Sequence, residues 1–292
     1  SQKRGDAEMA GAPPPAKNYP NGRIFPKNRP RPAPRRALTI GLAALLAAPL
    51  ALADAQFSAE MVQRGPDGKT TMGKIVKGDA KMRTEAAHQG QTMVRIGDEQ
   101  RGLEWILFPE RKSYLERSTL GPDGKVPPKP TAQDPCGGMP GLTCKAKGQE
   151  QVAGRTALVW DITVSQQGQP VTLTQWIDQE RGPAFTLRQT MADGAKVERV
   201  FLGQEDLAGR KTEKWEVQMT APDGKSMKTT EWYDPELRMA IKQEYPGGIV
   251  SELSNISVGP QAAELFAIPA GYSRMEMPQG GPSAAPPAPA RP

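Results

Sequence analysis

The chain has 292 residues, with 38 Lys/Arg against 32 Asp/Glu for a formal net charge of +6, and 37% of its residues are hydrophobic. That charge is unevenly placed: residues 1–53 hold nine Lys/Arg and two Asp/Glu, whereas residues 54–290 hold 28 basic against 30 acidic side chains. The main part of the chain is near neutral, which removes the basic face a nucleic-acid partner needs.

In chain order, the first signal is Arg35-Arg36 followed by the apolar run Ala37–Ala53, with small residues at Ala51, Ala53 and Ala55. This reads as a cleaved export signal over 35–55. A membrane span needs about 20 apolar residues, and this run is shorter and contains Pro49. Residues 1–34 then read as an over-extended start or a disordered leader. A periplasmic or secreted location follows, with no stable transmembrane span after cleavage.

From Phe57 onward the apolar residues alternate with period two, the signature of half-buried strands. Phe57, Ala59 and Met61 share one side of an opening strand, and Gly65-Pro66-Asp67-Gly68-Lys69 supplies turn chemistry before Thr70–Val76. Further strands are expected at Lys81–Thr84, Gln91–Ile96, Gly102–Phe108 and Ser113–Glu116, with a short helix at Glu85–Gln89. The stretch 119–146 is rich in Pro, Gly and Lys and has no apolar period, so it reads as a long loop. It contains Cys136 and Cys144, the chain's two cysteines. In an oxidising compartment they are expected to form a disulfide that staples the loop. A metal pair would need further ligands, and His88 is the chain's one histidine, so no metal or cofactor is expected.

The next block is written twice. Gly148-Gln149-Glu150, Ala153-Gly154-Arg155, Trp160 and Trp176-Ile177-Asp178 return as Gly203-Gln204-Glu205, Ala208-Gly209-Arg210, Trp215 and Trp232-Tyr233-Asp234. The matching segments are 148–202 and 203–256, each of about four strands. Leu158, Trp160, Ile162 and Val164 fall on one side of their strand, and Trp215, Val217 and Met219 on one side of theirs. Later strands are expected at Val171–Ile177, Phe185–Thr190, Val197–Leu202, Met227–Tyr233, Met239–Tyr245 and Ile249–Leu253.

A greasy-sided sheet of this size cannot stay flat and wet, so it must curl into a barrel or half-barrel. The expected fold is mainly β, a large curved antiparallel sheet with few short helices, one of them at Gln261–Phe266. It forms a single domain over 56–277, and 278–292 reads as a disordered Pro/Ala-rich tail.

No catalytic constellation is legible. There is no Gly-x-Ser-x-Gly elbow or phosphate-cradling loop, and His88 sits in a polar context that reads as an exposed loop. Asp178 with Glu180 and Asp234 with Glu236 recur at matching positions, which fits turn-forming Asp beside solvated Glu better than carboxylate catalysis. Candidates for an apolar groove are Trp105, Leu158, Trp160, Ile162, Trp215, Val217 and Met219. For the tryptophans the competing reading is plain core packing.

Several blocks resemble an exported bacterial family, domain of unknown function 4412, within the LolA/LolB-like lipoprotein-carrier superfamily. They are Phe57-Ser58-Ala59-Glu60-Met61, Gly78-Asp79-Ala80-Lys81-Met82-Arg83, Phe108-Pro109 to Tyr114, Trp232 to Leu237 and Leu265 to Tyr272. The resemblance implies a LolA-like curved sheet whose concave apolar face receives acyl chains or a partner. The expected function is a non-catalytic carrier of a hydrophobic ligand, a lipid or lipoprotein acyl chain. The alternative is an envelope module that docks or senses a protein.

Overall fold

The computed structural model describes residues 55–276 except 89 and 167. The expected leader 1–34, the export signal up to residue 54 and the tail 278–292 lie outside the described residues. Among the described residues, one sheet of sixteen strands carries the fold. The first six are β1 (Phe57–Arg64), β2 (Thr70–Lys77), β3 (Lys81–His88), β4 (Gln91–Asp98), β5 (Leu103–Phe108) and β6 (Ser113–Ser118). After a long connection come β7 (Leu142–Val152), β8 (Arg155–Gln166), β9 (Gln169–Asp178), β10 (Thr186–Thr190), β11 (Lys196–Leu207) and β12 (Arg210–Thr220). The chain finishes with β13 (Ser226–Asp234), β14 (Met239–Glu244), β15 (Val250–Val258) and the two-residue β16 (Ser273–Arg274).

The order is β16-β6-β5-β4-β3-β2-β1-β15-β14-β13-β12-β11-β10-β9-β8-β7. Two up-and-down meanders are thus stitched together where β1 pairs with β15, Phe57 opposite Val258. All pairings are antiparallel except that of β16 with β6. The sheet is open and curved, as alternation and size required. Of the stretch Glu85–Gln89, expected to be helical, the described residues 85–88 are strand instead: Glu85 pairs with Val94 and Ala86 with Met93 inside the β3–β4 hairpin. His88, expected in a loop, closes β3 opposite Gln91. Local helix propensity there yields to the ladder partners on both sides of β3. The helix expected at Gln261–Phe266 is a single short 3-10 turn, Ala263–Phe266. No helix among the described residues is long and apolar enough to cross a membrane.

Burial is less one-sided than alternation suggested. Ile75 and Val76, neighbours on β2 and therefore on opposite faces, are both buried. Ile75 joins Phe57, Ala59, Leu237 and Ile241. Val76 joins Val94, Ile96, Trp105, Leu107 and Phe266, with Leu265, Ile268 and Tyr272 packed against them. The C-terminal segment therefore covers one face of the first meander, while the other face at the β1/β15 seam is buried against the second. A third cluster holds Val152, Ala157, Phe185, Leu187, Trp215 and Tyr233.

The link from β6 to β7 joins strands near opposite edges of the sheet, fourteen interstrand steps apart. Laid flat at about 4.8 Å per step the gap would approach ~67 Å. Residues 119–141 bridge it although part of their length is spent in turns, such as the one closed by Gly124 N–H on Gly121 O at 3.0 Å. Only a curled sheet brings the edges within that reach. The link behaves as a strap. It ion-pairs Lys129 with Glu99 in the β4–β5 turn, and its Ala132 carbonyl accepts the Trp160 indole N–H from β8 at 3.0 Å. The Cys136–Cys144 disulfide, with Cα atoms 5.9 Å apart, fastens the strap to β7. The regular strand begins at Leu142, inside what the composition marked as loop.

Candidate ligand cleft

The frame of the site comes from two matching hairpin corners. β7–β8 turns through Ala153-Gly154 and β11–β12 through Ala208-Gly209, with φ values of 50° and 75° in the first and 50° and 79° in the second. Positive φ at both central residues is what a two-residue turn of the twisted-hairpin class requires. The arginine that follows each turn reaches back to the end of a neighbouring strand. Arg155 forms ion pairs with Asp178 and, at 2.9 Å, Glu180; Arg210 forms them with Asp234 and, at 2.8 Å, Glu236. Each Asp also accepts two backbone N–H groups: Glu180 and Arg181 on Asp178, both at 2.9 Å, and Glu236 and Leu237 on Asp234, at 2.9 and 3.0 Å. Asp178 and Asp234 are turn formers at 1% exposure, not a reactive pair. Burial pushes the Asp178 carboxyl up, but Arg155 and the two N–H donors outweigh it and hold the group below its usual range.

Between these corners lies a guanidinium–aromatic stack. Arg181 forks onto Glu213 at 2.8 and 2.6 Å. Its guanidinium lies 4.6 Å from the Phe185 ring and 4.4 Å from the Tyr233 ring. Arg199 stands 4.6 Å from the same Phe185 ring and pairs with Glu231. Phe185 meets Trp215 and Tyr233 edge-on, with ring centroids 5.3 and 4.7 Å apart. Burial raises Glu213, and the Arg181 fork with the Trp215 indole N–H more than reverses it, so this carboxyl also stays below its ordinary range. Two cation–π contacts on one ring and a bidentate pair below it make this floor rigid.

Above the floor a cleft of about 860 Å³ opens beneath the strap. One wall is the strap itself, with Val126, Pro127, Pro128, Pro130 and Met139. The other is the β9–β10 connection, Gln179–Phe185, with Tyr233 and Arg238 beside it. The volume lies within the ~300–1,000 Å³ of small-molecule pockets, and the walls mix apolar side chains with charged ones, Lys77, Glu99, Lys129, Glu180, Arg181 and Arg238.

The sequence-level candidates separate. Cross-strand pairing carries Trp160 of β8 through Gln175, Gln189 and Val197 to Met219, so Leu158, Trp160, Ile162, Trp215, Val217 and Met219 share one face. Trp105 pairs with Ile96 on the opposite face. It floors a smaller pocket of about 390 Å³ beside Phe266 and Ile268, its indole N–H on Glu116 at 2.9 Å. Trp215 is core, at 1% exposure; Leu158, Trp160, Ile162 and Val217 are half-buried, and Met219 is 49% exposed. None of the seven lines the large cleft. Phe185, Tyr233 and Arg238, which do, lie in or beside the turns after the doubled Trp-x-Asp motif. The doubling marked those turns, but alternation along strands does not report on turn residues.

No family model matches the chain, and no curated protein matches it. Among solved structures the chain is similar to a LolA superfamily protein, NE2245 from Nitrosomonas europaea, at 11% identity over 74% of this chain and 90% of that one, TM-score 0.32. It is also similar to a DUF1329 family protein from Desulfovibrio piger, at 13% identity over 74% and 90%, TM-score 0.27. A third likeness is to the MucA/MucB complex of Pseudomonas aeruginosa, at 12% identity over 72% and 95%, TM-score 0.21.

Proposed function

We propose that the protein is an exported, non-catalytic carrier that shelters a hydrophobic ligand, a lipid or lipoprotein acyl chain, in the cleft beneath the strap. The resemblance to family 4412 and the LolA/LolB-like superfamily read from the sequence belongs to this proposal. The observation that carries it is the cleft: about 860 Å³, walled by Val126, prolines and Met139 on the strap and by Pro183 and Ala184 opposite, with charged groups such as Lys77, Lys129 and Arg238 among its lining. Such walls desolvate an alkyl chain at about 25 cal/mol per Å² buried. The strap is fastened at one end by the disulfide and touches both meanders, so the cleft is preformed and binding need not order it. Mass spectrometry of the organic extract of protein taken from its native envelope tests the reading. Stoichiometric lipid, reduced in Ala184→Trp, which narrows the cleft, is the expected result. Extracts free of lipid from both proteins would overturn it.

A second reading, an envelope protein-interaction module, is favoured by one observation. Met219 and Met227 face each other across β12 and β13 at 49% and 54% exposure. Adaptable side chains of this kind suit a protein contact. On this reading Met219→Lys abolishes capture of the partner and leaves bound lipid unchanged.

A further inference from the structure

The two matching corners differ at one position that points into function. Counting from each aspartate, Gly182 follows Asp178 by the same four residues as Arg238 follows Asp234. Both are left-handed, with φ of 73° and 56°. Glycine takes this conformation freely, whereas a residue with a Cβ is strained in it. The second corner therefore keeps a strained arginine where the first shows that glycine serves. Strain retained at one residue is a pointer to its use, given a site for it to serve.

That site is present. Arg238 is exposed and lines the large cleft, and its guanidinium donates to the backbone carbonyls of Glu180 and Arg181 at 3.3 and 3.4 Å. The carboxylates around it are engaged elsewhere. Asp178 and Glu180 belong to Arg155, Asp234 and Glu236 to Arg210, Glu213 to Arg181 and Glu99 to Lys129. Among the described residues the hydrogen-bond acceptors of Arg238 are thus neutral carbonyls, and its charge stands at the lip of a cleft that Lys77 and Lys129 also line. This is the arrangement that receives an amphiphile: tail against the strap prolines, Met139, Pro183 and Ala184, acidic head against the guanidinium.

We propose that the cleft takes an anionic amphiphile, a long alkyl chain ending in a carboxylate or phosphate, and that Arg238 binds its headgroup. The inference rests on the carrier reading above. Its test is titration of the full-length protein, stripped of lipid, with oleate, oleyl phosphate and oleyl alcohol, which share a chain and differ in the head. The unaltered protein should bind the better anion about tenfold more tightly than the alcohol, as a charge-assisted hydrogen bond allows. Whichever of oleate and oleyl phosphate binds tighter names the head.

Arg238→Gly restores the residue of the first corner, so it should fold with an unchanged or raised melting temperature. It should lose most of the preference for anion over alcohol, and Arg238→Lys should recover part of that preference. Equal affinity for anion and alcohol in the unaltered protein, or an undiminished preference in Arg238→Gly, would overturn the headgroup assignment and leave the carrier reading standing. Binding of none of the three would overturn both.

Discussion

The corner after β9 and the corner after β13 share a frame and differ in what they hang on it. In both, an arginine from the preceding hairpin locks an aspartate that shapes the turn, and a glutamate two residues on completes the cluster. The next position diverges: Arg181 in the first corner stacks on Phe185 and Tyr233, while Leu237 in the second is buried with Phe57 and Ile241. The third residue after the aspartate thus serves the aromatic stack beside the cleft in one corner and the seam between the meanders in the other. A conserved hydrogen-bonded frame lets side chains change roles without moving the backbone.

The largest expected effect comes from removing the frame. Arg210→Ala leaves Asp234 buried and unpaired, and Arg155→Ala does the same to Asp178; each should cost about 3 kcal/mol, read from urea unfolding. Because the second corner also packs the β1/β15 seam, Arg210→Ala should unfold the protein further than Arg155→Ala. Equal losses would mean that the two corners are structurally interchangeable.

Breaking the staple comes next. Cys136→Ser with Cys144→Ser should cost about 2–3 kcal/mol. It should also free the strap without disturbing either corner, seen as loss of amide protection over 119–141 alone by hydrogen exchange.

Acid separates the corners by another route. Asp178 and Glu213 are held below their ordinary carboxylate range in the folded protein, so their contribution is present above about pH 4 and lost as the pH falls through the depressed values. The melting temperature should therefore drop as the pH is lowered from about 4 towards 2. Arg155→Ala, which removes the partner of Asp178, should show a shallower drop. An unchanged slope would show that Arg155 is not what holds Asp178 ionised.

The smallest effect is an exchange of the odd residue. Gly182→Arg places a side chain at φ 73° and should cost about 1 kcal/mol by thermal unfolding. A neutral result would remove the strain argument made for Arg238.

Alternation made the strands legible because a half-buried strand must repeat every two residues, and the doubled Ala-Gly-Arg and Trp-x-Asp motifs located both corners in advance. The cysteines announced the staple. Three things were hidden. The strand at Glu85–His88 looks helical because its identity is decided by β2 and β4, not by its own residues. Burial of both faces at Ile75 and Val76 depends on residues far along the chain, Leu237 and Ile241 on one side and Phe266 on the other. The cleft is made by turns and a strap, where side-chain period carries no information, so the aromatic candidates on strand faces pointed to core and sheet surface instead.

The seam has a consequence for how the molecule is assembled. β1 is the first strand to emerge from the start of the domain and its partner β15 is nearly the last, so one flank of the opening meander stays raw until synthesis is almost complete. Closing so large a loop is slow by nature, and a bare flank invites pairing with a neighbouring molecule. β15 therefore acts as the zip: a chain halted before Val250 has no way to finish the seam, and is a natural client for whatever guards nascent proteins against clumping.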